Sequence, residues 1–156
     1  MVVINLGCRK YHRGQLCIDL YPADPRVIKA DAVEWLNMQP EGSIPSIYSK
    51  NLIEHLPDPN SFFRAAYRAL RPMGLLHVIT DNAEFMPFYA PVWLRHTVLG
   101  AHARNEYALD HCQSIHYCIF TKLHLRNHAE KAGFRAVKVR RMPQWAFARL
   151  ELIAYK

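Results

Sequence analysis

Two neighbouring stretches constrain the fold more than any others: Val2-Val3-Ile4-Asn5-Leu6-Gly7-Cys8 and Leu16-Cys17-Ile18-Asp19. The first is an apolar run entering a glycine turn, and the second is an apolar run ending in an acid. Both read as strands of a buried parallel sheet, where runs are continuous rather than alternating. Parallel neighbours need a crossover, and a crossover with a helix takes at least about 10–12 residues. Only about eight residues separate these two runs, so the first crossover helix is expected to be shortened or missing.

The rest of the chain continues the alternation. Val27 to Ala30 reads as a third strand, Ala32 to Asn37 as a short helix before the turn Pro40-Glu41-Gly42-Ser43, and Ser46 to Ser49 as a fourth strand. In "PDPNSFFRAAYRALRPMG", the residues Phe62, Phe63, Ala66, Tyr67 and Leu70 recur at helical spacing. Asn60 or Ser61 is expected to cap that helix, while Arg68 and Arg71 suit its negative end. Pro72 and Gly74 should end it before a fifth strand, Leu75 to Thr80. Thr121 to Ala132 reads as a helix closed by Gly133, and Phe134 to Arg140 with Arg149 to Tyr155 reads as a hairpin around Met142-Pro143. The expected fold is α/β, with a mostly parallel sheet and an antiparallel C-terminal edge hairpin. Residues 1–156 form a single domain in this reading, with an aromatic and histidine-rich insertion or lid at about 85–118.

Composition narrows the class without choosing a function. The 51% hydrophobic content is enough for one core. No apolar run reaches roughly 18 residues and no leader pattern opens the chain, so a soluble, cytoplasmic protein is expected. Without an export signal, Cys8, Cys17, Cys112 and Cys118 are expected as free thiols. The formal charge of +7 attracts nucleic acid, acidic lipid and anionic glycan precursors alike.

Several segments together carry a family resemblance. "INLGC" with "CIDLYP", "KADA", "IYSKNLIEHLPDPNSFFRAAYRALRPMGLLHVITDN" and the tail "HYCIFTKLHLRNHAEKAGFRAVKV" resemble class I S-adenosylmethionine-dependent methyltransferases. The chain is most similar to their short, glycine-poor branch, in which a strand ending in N-L-G-C-G precedes, after a brief loop, a strand ending in Asp. The resemblance covers most of the chain outside about Phe85 to Ile115. It implies a Rossmann-like methyltransferase sandwich, S-adenosyl-L-methionine as cofactor and methyl transfer to an acceptor.

Carried over by position, Gly7 lets the backbone approach the methionine part of the cofactor, Asp19 accepts from the ribose hydroxyls, and Asp31 with Ala32 holds the adenine amine. Ser49, Lys50 and Asn51 follow the fourth strand, where the family places residues near the sulfonium and the acceptor. Asn5, Cys8 and Leu20 complete the implied cofactor set. All sit at carboxyl ends of strands, as the switch-point rule requires. Two positions depart from the family pattern. Arg9 stands where the branch has its second glycine, and either narrows the methionine pocket or brings a cation to the cofactor carboxylate. Met73 replaces the first of two glycines after the amphipathic helix.

Glu54 and His55 offer two readings. His55, with an ordinary pKa near 6.5, suits proton removal from an acceptor. Alternatively His55 and Leu56 close a turn, with Glu54 at the site rim. His111 or His116 could equally swing in as the base. Phe85, Phe88, Tyr89 and Trp93 either wall an acceptor pocket with Glu54, His111 and His116, or pack as core or oligomer surface. No metal is expected: Asn51 stands where an E-x-x-E-H cluster would need its first acid, and His111, Cys112, His116 and Cys118 lack the paired spacing of zinc ligands. His124 and His128 share a helix face, which is expected to be partly exposed.

The implied acceptor is a small molecule or glycan precursor. No N/D-P-P-Y sequence follows the fourth strand, which speaks against exocyclic base amines, and no aromatic RNP-type pattern accompanies Arg140, Arg141 and Arg149. The alternatives are a non-catalytic module that binds a protein or RNA partner, and an RNA methyltransferase. Homo-oligomerisation is open at this point.

Overall fold

A computed structural model describes residues 2–9, 14–85, 116–143 and 148–156. Phe88, Tyr89, Trp93, His111 and Cys112 lie outside the described residues.

Seven strands form one sheet: β1 (Ile4–Leu6), β2 (Leu16–Asp19), β3 (Ile28–Lys29), β4 (Ile44–Lys50), β5 (Leu70–Asp81), β6 (Arg135–Arg141) and β7 (Arg149–Tyr155). Their spatial order is β3-β2-β1-β4-β5-β7-β6. The first five run parallel, and β7 is antiparallel to both β5 and β6. The C-terminal hairpin therefore enters with its second strand inside. Composition explains the choice. β7 buries Leu150, Leu152 and Ala154, whereas β6 exposes Arg135, Lys138, Arg140 and Arg141, charges that blunt an edge strand.

Helices α1 (Ala32–Met38), α2 (Pro59–Ala69) and α3 (Lys122–Ala132) pack against one face. Leu36, Phe62, Phe63, Ala66, Leu125 and Ala129 meet Leu6, Ile18, Ile47, Leu76, Val78 and Leu152 in one core. Each fully buried large side chain contributes about 1.5–3 kcal/mol there. Alternation along the strands sends Tyr48 and Ile79 to the other face, where they cluster with Met142 and Val3. The connection between β1 and β2, residues 7–15, is as short as the sequence implies. Cys8, Cys17 and Cys118 are free thiols.

Several local expectations are corrected. Asp58, not Asn60 or Ser61, is the N-cap of α2: its carboxylate accepts the Asn60 N–H at 2.9 Å, and Pro59 takes the first helical position, where its missing N–H costs nothing. The same helix ends at Ala69, before Pro72, and the chain enters β5 directly. Arg71 is consequently an exposed strand residue, while Arg68 sits in the last helical turn. Ile28, read as part of a buried strand, is 41% exposed because β3 is the opposite edge of the sheet. None of the described helices is long and apolar enough to cross a membrane.

Candidate functional site

The strand order reverses between β1 and β4, so the crevice outside their carboxyl ends is the switch point where open α/β sheets bind ligands. Gly7 closes β1 there with φ of 73°. A Cβ on it would stand 2.9 Å from Cβ of Leu52, so the turn is a cradle that only glycine leaves open. Arg9 takes the same left-handed conformation, φ 46°, that a second glycine would supply. Its backbone N–H donates to Oδ2 of Asp19 at 2.7 Å, and the residue itself is exposed.

Asp19 also accepts the Tyr21 N–H on Oδ1 at 2.8 Å. A carboxylate offers about four lone-pair sites, so capacity remains for a pair of hydroxyls. Asp31 caps α1 through Oδ1 alone, accepting from Val33 at 2.8 Å and Glu34 at 3.0 Å, while Ala32 beside it is buried. Ser49 is fully buried, and its Oγ has no hydrogen-bond partner among the described residues. An orphaned buried hydroxyl is costly unless a ligand satisfies it. Asn51 follows in the left-handed region with φ of 54°, and its N–H donates to the Ile79 carbonyl at 2.8 Å. Asn5 is buried, Leu20 is exposed, and burial pushes the Cys8 thiol up to about 12, with Cys17 adding to the shift. A thiol held so firmly protonated is no nucleophile. The Gly7 cradle, the acceptor capacity of Asp19 and Asp31 and the orphaned Ser49 hydroxyl fit a ligand with a polar ribose and a methionine-like arm.

A second group stands beside the crevice. Glu54 and His55 lie on the single 3-10 turn Ile53–His55 that follows β4. Glu54, expected at the rim, is instead completely buried: its Oε2 accepts the Thr80 hydroxyl at 2.8 Å, and Oε1 has no partner among the described residues. Burial, reinforced by the charge of Asp81, pushes its carboxyl up to about 7. The Glu54 carbonyl accepts the N–H groups of Tyr117 at 2.9 Å and Cys118 at 3.4 Å. That docking brings the His116 ring edge-on to His55, with 4.7 Å between centroids. Nδ1 of His116 lies 3.7 Å from Oδ2 of Asp81, whose other oxygen is paired with Arg149 of β7. Donor atoms of Glu54, His55 and His116 all lie within 4.8 Å of one another.

Of the expected acceptor-side residues, the structure joins Glu54, His55 and His116. Phe85 follows β5 in a turn, its N–H donating to the Asn82 carbonyl at 3.0 Å. His128 is a packing residue: its Nδ1 hydrogen-bonds Asn60 at 2.7 Å and its ring stacks on Phe63. Sequence reasoning missed Thr80, Asp81 and Arg149. The available signal was the polar pair Thr80-Asp81 ending an apolar strand, the position where α/β sheets carry ligand-facing groups.

A family model described as a methyltransferase domain matches residues 5–139. No curated protein matches the sequence. Among solved structures, a SAM-dependent methyltransferase from Archaeoglobus fulgidus is 15% identical, with 99% of this chain and 85% of that chain covered and a TM-score of 0.64. The 1,6-didemethyltoxoflavin-N1-methyltransferase of Burkholderia thailandensis, solved with 1,6-didemethyltoxoflavin and S-adenosylhomocysteine, is 17% identical over 99% of this chain and 70% of that one, with a TM-score of 0.64. Phosphoethanolamine N-methyltransferase 2 of Haemonchus contortus, solved with S-adenosyl-L-methionine, is 14% identical, and this chain spans 48% of its length with a TM-score of 0.68. At such identities the likeness speaks for the fold, while the family match covers most of the sequence. On that match the chain belongs to the methyltransferase-domain family.

Proposed function

We propose that this protein methylates a small-molecule or glycan-precursor acceptor at the carboxyl ends of β4 and β5. The reading is carried by the placement of Glu54, His55 and His116 on the segments that follow β4 and precede α3, beside the carboxyl ends of the strands that carry Gly7, Asp19 and Ser49. Asp19 would hold the ribose, Asp31 with Ala32 the adenine, and Gly7 the methionine arm, with Asn5, Ser49 and Asn51 around it. When bound, S-adenosylmethionine supplies an electrophilic methyl group on a sulfonium, an activated donor that needs no further activation by the protein.

The chain's own residues then have to position the acceptor and take its proton. His55, half-buried and in ring contact with His116, would receive that proton. The Burkholderia thailandensis relative, solved with 1,6-didemethyltoxoflavin, supports a small-molecule acceptor.

Calorimetric titration with S-adenosylmethionine and S-adenosylhomocysteine tests the cofactor half, with Asp19→Ala as control. Micromolar binding that the variant loses is expected, and silence of the wild type at millimolar ligand would overturn the reading. An acceptor screen, read as S-adenosylhomocysteine release, tests the other half. Turnover of the best acceptor should fall about 100-fold or more in His55→Ala, with cofactor affinity kept.

A further inference from the structure

Glu54, His55 and His116 present one carboxylate and two imidazoles whose nearest donor atoms all lie within 4.8 Å of one another. Ligands held about 2.0–2.2 Å from one tetrahedral ion stand roughly 3.4 Å apart, so small side-chain rotations close the set around a single centre. The carboxylate is wholly buried, with one oxygen unpartnered among the described residues. A polar atom in that condition needs a hydrogen bond or a cation.

Two of the three ligands also have an outer support. Thr80 fixes the second oxygen of Glu54 at 2.8 Å. Asp81, held by Arg149, lies 3.7 Å from Nδ1 of His116. Carboxylates behind imidazoles and hydroxyls behind carboxylates are the groups that orient metal ligands and set their tautomers. The backbone bonds from Tyr117 and Cys118 to the Glu54 carbonyl lock the third ligand beside the other two.

We propose that Glu54, His55 and His116 bind one first-row divalent metal ion and leave a coordination position open toward the crevice. The two nitrogens favour zinc and its neighbours over magnesium or calcium, which take oxygen ligands. Three protein ligands with an open position is the pattern of an ion that also receives a small ligand. The open position would take an acceptor oxygen and ease its deprotonation; that part of the proposal rests on the methyl-transfer reading. In the metal-loaded state His55 is a ligand, and in the metal-free state it is the proton acceptor.

The test uses the whole chain, stripped with a chelator and dialysed. Zinc is titrated by calorimetry, and cobalt by its visible absorbance, which reports coordination number. One ion per chain is expected, bound at micromolar or tighter concentration, with the intense visible bands of a four- or five-coordinate cobalt site. His55→Ala and His116→Ala should each weaken binding at least about tenfold. Glu54→Gln should do the same, with circular dichroism confirming that each variant folds. No stoichiometric ion in the wild type would overturn the proposal. So would binding that survives both histidine variants, or binding that is lost in His128→Ala instead. S-Adenosylhomocysteine binding in excess chelator, measured on the same preparation, separates the two ideas. Cofactor binding without metal binding defeats the metal site alone, whereas loss of cofactor binding defeats the methyl-transfer reading.

Discussion

Thr80 and Glu54 are joined side chain to side chain at 2.8 Å in a place where neither is exposed to solvent. One hydrogen bond does not offset the burial of the carboxylate beside Asp81, so the group titrates near 7 rather than near its usual 4.5. The folded state therefore binds the Glu54 proton more tightly than the unfolded chain. This favours the fold fully below about pH 4.5 and is lost as pH rises through about 7, a difference of about 3 kcal/mol. In chelator, urea denaturation of wild type and Glu54→Gln from pH 4.5 to 7.5 should show wild type losing that much relative to the variant. Parallel pH profiles would refute the assignment.

Gly7 has a backbone and a neighbour that both exclude a side chain, with φ of 73° and Leu52 at 2.9 Å from any added Cβ. Gly7→Ala should lose at least about 2 kcal/mol of stability and weaken S-adenosylhomocysteine binding. Adding Leu52→Ala removes Cδ1 and Cγ, at 3.2 and 3.3 Å from the added Cβ, but keeps Leu52 Cβ, so only a minor part of the loss should return and none of that owed to φ. Denaturation of the three variants checks this, and full recovery in the double variant would overturn it.

Met73 is the opposite case. It lies in the left-handed region with φ of 61°, is 78% exposed, and so bears strain with little packing in return. Met73→Gly should raise stability by about 0.5–1 kcal/mol, read from the urea midpoint at unchanged m-value. A loss would mean that the side chain packs on something that its exposure does not reveal.

Arg68 ties the end of α1 to α2, its Nη2 lying 2.9 Å from the carbonyls of Leu36 and Asn37 and 2.7 Å from that of Gln39. These acceptors are carbonyls at the C-terminal end of α1, and the donor is charged. Arg68→Ala should cost about 2–3 kcal/mol in a denaturation experiment. Arg68→Lys should recover only part of it, because the lysine arm is shorter and its ammonium falls short of the position that Nη2 occupies. Equal stability of Arg68→Lys and wild type would contradict that geometry.

Local periodicity made most elements visible in advance. The aromatic spacing of Phe62, Phe63, Ala66 and Tyr67 marks α2, and Gly133 closes α3 with φ of 107°. Asp19 and Asp31 entered through the family resemblance, and they stand at the end of β2 and at the N-cap of α1. Three things were not legible. The cap at Asp58 depended on Pro59 preferring the first helical position, a competition between adjacent candidates. The insertion of β7 between β5 and β6 depended on relative burial of two strands, which a hairpin pattern does not encode. The meeting of His116 with Glu54 and His55 depended on a carbonyl accepting N–H groups from a distant segment, and backbone contacts between remote segments leave no trace in residue identity.

The interior place of β7 also sets the order in which the molecule can be finished. Every other strand precedes it along the chain, yet β5 has no partner on that side until residues 149–155 exist. A growing chain on the ribosome therefore carries a bare strand edge and an Asp81 without its arginine. The sheet cannot close on that side before β7 is made, and a chain cut within β7 should aggregate rather than fold to a merely weakened state.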